Sequence, residues 1–201
     1  MENQKTENQK TDKNQPKQKP FLTVSIELRT EYAQDYHKRY SSQIIGALAS
    51  IDYFMSLKSD KKNEIQEWKE RTQNIVLGNL NKTSEALNAL IESQQLSSME
   101  PTFPGRKEIL INMKNPATRT YIEWLEKIDN LAVEIEMLWI MGVIDSNQRK
   151  KAFSQLSYAT MLFARTARNF INKDRKLKNE SKTESKTEEV AEDKKEDKKE
   201  D

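Results

Sequence analysis

One stretch limits the fold more than any other. Leu22, Val24, Ile26 and Leu28 alternate with Thr23, Ser25, Glu27 and Arg29 in a chain whose remaining apolar residues mostly recur at helical spacing. Strict alternation predicts a strand with one buried and one solvated face. A strand cannot satisfy its backbone alone, so this one needs a partner. Two are open: a copy of itself in a second subunit, or the other short strand candidate, Lys107–Met113.

The rest of the chain predicts helices. Thr30 is placed to cap a first helix, with Glu31 in its first turn and Tyr32, Ala33, Tyr36 and Tyr40 at helical spacing. A second helix is expected to begin at Ser41 or Ser42 and to carry Ile44, Ile45, Leu48, Ile51 and Met55. Asp60 to Leu96 reads as one long helix or two nearly collinear ones, with Gly78-Asn79 as the place for a bend. The prolines and glycine of EPTFPGR make residues 100–106 a loop.

Asn115 and Pro116 open a strongly apolar helix bearing Tyr121, Ile122, Leu125, Ile128, Ala132, Ile135 and Leu138. Its Trp and Met residues suit a core or a subunit interface. Gly142 is expected to stop it, and Asp145 with Gln148 to cap a last helix. The short link between the two predicts an antiparallel pair. The expected fold is therefore mainly α: a strand-helix-helix unit over 21–57, a helical part over 58–172 containing the strand 107–113, and the C-terminal helix pair.

Composition separates this domain from its ends. The chain is 201 residues long, 35% hydrophobic and 33% charged, but residues 1–20 contain no apolar residue after Met1. Residues 173–201 are dominated by Lys, Glu, Asp, Ser and Thr. Both ends are expected to be disordered, because neither can bury enough apolar surface to offset chain entropy. The ends carry net charges of +2 and −1 within a total of +2, so residues 21–172 carry +1. A nucleic-acid site must then be a local patch.

Several chemistries lack their residues. There is no cysteine, so thiolate nucleophiles, disulfides and Cys-based zinc sites are excluded. The four glycines are scattered and build no phosphate-cradling loop. His37 is the one histidine, expected at a surface or helix end. Glu134 and Glu136 lie two apart and do not share a helix face. The expectation is a non-enzymatic protein with no cofactor, metal or small-molecule substrate. The N-terminus has no apolar core of a secretory signal, and no apolar run approaches the roughly 20 residues of a membrane span. A soluble cytoplasmic protein without a membrane partner is expected.

What remains is binding. A two-stranded ribbon fits the DNA major groove, and a strand can form one by pairing with its copy in a homodimer. The outward row would then be Thr23, Ser25, Glu27 and Arg29, with Arg29 gripping guanine and Glu27 limited to accepting from cytosine. A helix beginning at Ser41 or Ser42 would offer free N–H groups to phosphate, with Lys38 and Arg39 adding charge. If the strand pairs in cis with 107–113 instead, it is simple architecture. On the last helix, Arg149, Lys150, Lys151, Arg165 and Arg168 form either a solvated face or a partner-facing one.

The strand–helix–helix order, with VSIELRTEYA leading into YSSQIIGAL, resembles the ribbon-helix-helix DNA-binding module over about residues 21–57. A broader likeness covers residues 21–172. SIELRTEYAQDYHKRY, IIGALASIDYF and NPATRTYIEWLEKIDNLAVEIEMLWIMGVIDSNQRKKAFSQL resemble the AcaB-like proteins encoded on integrative and conjugative elements. That resemblance implies a ribbon-helix-helix transcriptional regulator of conjugative-transfer genes. The rival is a helical accessory protein of such an element, without direct DNA contact.

Overall fold

The structure, a computed structural model, describes the backbone of residues 20–99 and 101–196, and side chains as far as residue 174. The elements are β1 (Leu22–Leu28), α1 (Glu31–Leu57), a 3-10 turn (Ser59–Lys61), α2 (Lys62–Ser93), β2 (Lys107–Met113), α3 (Ala117–Ile140) and α4 (Ser146–Glu196). The fold is mainly α, with one small sheet. The expected disorder of residues 1–20 falls, but for Pro20, outside the described residues.

α3 is the central helix. Thirteen of its 24 residues are buried, where an outer helix buries one stripe. α1 and α4 pack on it and on each other, while α2 packs on α3 and α4. Aromatic rings join the layers: Trp124 of α3 meets Phe163 of α4 edge-on at 5.5 Å, and Trp68 of α2 stacks on Phe170 of α4 at 4.5 Å. The α3–α4 pair forms as expected. Gly142 takes a left-handed φ of 70°, where a side chain would be strained. That turn lets Val143 donate its N–H to the Leu138 carbonyl at 2.9 Å. Asp145 and Gln148 then cap α4 reciprocally: the Gln148 N–H reaches Asp145 Oδ1 at 2.8 Å, and the Asp145 N–H reaches Gln148 Oε1 at 2.7 Å.

Two expectations are corrected in the helices. No helix begins at Ser41 or Ser42, because α1 runs unbroken from Glu31 to Leu57. No glycine or proline separates Tyr40 from Ser42, and Tyr36, Ile44, Leu48 and Ile51 continue one buried stripe across the expected break. α2 is one continuous helix through Gly78-Asn79, the first of the two forms expected for that stretch. Finally, α4 continues to Glu196, through most of the segment expected to be disordered. After Gly142 the chain contains no glycine or proline, and Lys, Glu and Ala favour the helix once a packed turn has nucleated it.

β1 pairs antiparallel with β2 of the same chain along its full length, from Leu22↔Met113 to Leu28↔Lys107. The ribbon therefore needs no second copy, which corrects the expectation that it forms on dimerisation and makes the pairing itself architecture, so that any DNA contact must rest on the outer face of the cis ribbon alone. Burial deepens along β1: Leu22 is 71% exposed, Val24 is half-buried, and Ile26 and Leu28 are buried. The predicted inward row is right at its C-terminal end and frays at the start.

Candidate nucleic-acid interface

The outer face of the ribbon carries Thr23, Ser25 and Glu27 from β1 and Glu108, Leu110 and Asn112 from β2, all exposed. Side chains alternate across a strand, so pairing in register sets these two rows beside each other. Thr23 Oγ1 donates to Asn112 Oδ1 at 3.1 Å, across the pair Thr23↔Asn112. Ser25 Oγ donates to Glu108 Oε1. Glu27 and Glu108 stand directly opposite each other, a like-charge pair that costs stability unless neutralised. Arg106, just before β2, meets Glu27 with its Nη1 at 3.5 Å. Among the described residues, Glu108 meets the Ser25 hydroxyl and no cation.

Arg29 does not join this face. Its N–H and its Nε both donate to Asp129 Oδ2 at 3.1 Å, and its Nη2 donates to Asn130 Oδ1. Asp129 lies on the central helix and is 3% exposed. Its other oxygen accepts from the Thr30 N–H at 3.0 Å and the Thr30 hydroxyl at 2.8 Å. The Thr30 hydroxyl oxygen in turn accepts from the Ala33 N–H at 3.1 Å, capping α1 as expected. One buried carboxylate thus fixes the end of β1, the start of α1 and the Arg29 guanidinium. Arg29 is a structural residue here, not a base reader. Asp129 escaped the sequence reading. Its signal was a single acid four residues after Leu125 and next to Ile128, within the apolar stripe of α3.

The four expected phosphate contacts separate. Lys38 and Ser41 line a groove between α1 and β2 together with Lys107, and Ser42 lines its continuation beside Asn112. Arg39 turns away, forms an exposed 3.4 Å pair with Asp35, and lines a different cleft beside Tyr32 and Phe153. With no helix N-terminus at Ser41 or Ser42, the backbone N–H groups there are spent within α1, and the dipole argument for phosphate lapses.

His37 is not a plain surface residue. It sits within α1, partly buried, with Nδ1 3.0 Å from the Tyr121 hydroxyl. Burial lowers its pKa, since desolvation penalises the imidazolium. The same cause pushes Tyr32 up to about 12. Arg149, one of the basic residues of the last helix, is also occupied. It stacks over Trp139 at 4.3 Å and pairs with Glu136 at 2.5 Å. No group of acidic or histidine side chains among the described residues could hold a metal ion, and no described helix is long and apolar enough to cross a membrane.

These features define a four-helix domain bearing a two-stranded antiparallel ribbon, made in cis and clamped to the central helix. No family model and no curated protein sequence matches the chain. Among solved structures, it is similar to selenomethionine-containing AcaB from uropathogenic E. coli, with a TM-score of 0.63 and 22% identity over 73% of this chain and 77% of that one. The chain therefore has an AcaB-like fold.

Proposed function

We propose that this chain is a non-enzymatic, cytoplasmic DNA-binding regulator that meets duplex DNA with the outer face of its ribbon. The observation that carries this reading is the row of Thr23, Ser25 and Asn112, exposed on a two-stranded antiparallel ribbon of seven residue pairs. A ribbon of this kind fits the major groove, and hydroxyl and amide groups bond to base edges there. Lys107 at the start of β2 and Lys114 just after it are exposed cations, and on this reading they meet phosphate. Glu27 and Glu108 restrict the reading to the amino groups of cytosine or adenine at their positions, because a carboxylate offers only acceptors. The AcaB-like fold accords with the resemblance seen in the sequence, and by that resemblance the genes regulated are those of conjugative transfer. A homodimer would place two ribbons on two half-sites.

The test is binding to DNA from upstream of the protein's own gene, across a salt series. Each phosphate contact contributes a slope of about −0.9 in log affinity against log salt, so the reading predicts sequence-preferring binding that weakens steeply with salt. Absence of binding at low salt would overturn it. Two observations favour the second reading, a helical interaction protein without DNA contact: the strand pairs in cis, and the opposed Glu27 and Glu108 make one end of the outer face locally acidic.

A further inference from the structure

The sheet has two strands, so each has one edge that no strand pairs. Beside β2, that edge opens onto a groove. Lys107, Glu108, Ile109 and Leu110 line one stretch of about 630 Å3, and Leu110, Ile111 and Asn112 line the next, of about 440 Å3. Successive side chains of a strand point to opposite faces. A surface lined by every successive residue is therefore the strand's edge and not its face. β1 lines neither stretch.

The opposite wall is α1, from Gln34 beside the first stretch to Ala49 beside the second. A helix rises about 22 Å over those residues, and a seven-residue strand spans about 23 Å. Groove and strand thus match in length. Among the described residues, no hydrogen bond joins the backbone of 107–113 to α1. Gln34, at the groove's end, gives its amide to the carbonyls of Leu28 and Gly105 instead. The edge of β2 is left with donors and acceptors to offer.

We infer that this groove takes an extended peptide segment of a partner protein, added to β2 as a third strand. Backbone hydrogen bonds along a free edge recognise an extended peptide, and pockets beside the edge select alternate side chains. The walls suit that occupant. Small residues Ser41, Ser42, Gly46 and Ala49 leave room for side chains, and Ile45 and the 67%-exposed Leu110 give apolar contact. Asp35 and Glu108 lie among Lys38 and Lys107, and Asp35 is shared with Arg39, so the lining is of mixed sign and not the basic stripe that a nucleic acid needs. The chain's own residues 1–19 are a poor occupant, being polar throughout after Met1 and short of β-formers.

The experiment pans a displayed library of random twelve-residue peptides on the full chain, with counter-selection on Ser41→Trp. Ser41 is half-buried at the middle of the groove, so the indole fills it. If Ser41→Trp unfolds, as judged by circular dichroism, exposed Ser42→Trp replaces it. The expected result is peptides of alternating apolar and polar residues that bind the natural chain at least about tenfold tighter than the variant and slow exchange of β2 amides by about tenfold or more. Their affinity should change less than about twofold over the salt series, unlike DNA binding, so the two readings fail separately. Two results would overturn the inference: no peptide preferring the natural chain, or enriched peptides that leave exchange over 107–113 unchanged. Protection of those amides that rises with protein concentration alone would also overturn it, because a second copy would then be the occupant.

Discussion

At the scale of single residues, Asp129 carries the most consequence. Its two oxygens accept four hydrogen bonds, two from Thr30 in a buried site and two from the partly buried Arg29. Removing it strands a guanidinium, two backbone N–H groups and a hydroxyl. Asp129→Ala should therefore lower stability by about 2 kcal/mol, chiefly because the buried N–H and hydroxyl of Thr30 lose their acceptor. Urea unfolding measures this, and an unchanged midpoint would refute the clamp. Asp129→Asn keeps the shape and one acceptor oxygen, and should cost less. His37 gives a pH prediction. Its folded pKa is depressed, so below the ordinary histidine value near 6.5 the unfolded chain binds more protons than the folded one. Stability should then fall as pH drops from about 7 through 6.5 towards the lowered folded value. His37→Gln should flatten that part of the profile in urea titrations at stepped pH.

At the scale of elements, what was legible in the sequence depended on whether the governing force was local. The caps at Thr30 and Asp145, the stop at Gly142 and the buried stripe of α3 all follow from side chains within one or two turns. Each was readable. The false helix start at Ser41 shows the limit. Serines make good caps, but only where the preceding helix has ended, and the stripe from Tyr36 to Ile51 gives no such end. The partner of β1 was unreadable for another reason. Alternation specifies a buried face but says nothing of what lies along the edge, so copy and cis strand were equal until the register was seen. Arg29 followed the outward parity of its strand, yet a carboxylate one hundred residues away claimed it. Two variants test these points. Ser41→Pro, inside one continuous helix, should cost about 3 kcal/mol or more, whereas between two helices it would be mild. Gly142→Val should cost upward of about 1 kcal/mol from its left-handed φ alone. Thermal melting followed by circular dichroism reads both.

At the scale of the molecule, four helices hold a small ribbon by its inner face and leave its outer face free. Ile26, Leu28 and Ile111 join the common core, so the ribbon is fixed to the body. A rigidly held ribbon can dock without the ordering cost of a flexible arm. The direct test titrates the protein with its own upstream duplex and with a scrambled duplex of equal composition, at about 50 and 200 mM salt, the range over which phosphate contacts are lost. Natural protein is compared with the combined Thr23→Ala, Ser25→Ala and Asn112→Ala variant. The account predicts preference for the natural duplex, weakening with salt, and loss of that preference in the variant while its fold and non-specific binding remain. Equal affinity for both duplexes, or a variant that discriminates as well as the natural protein, would contradict it.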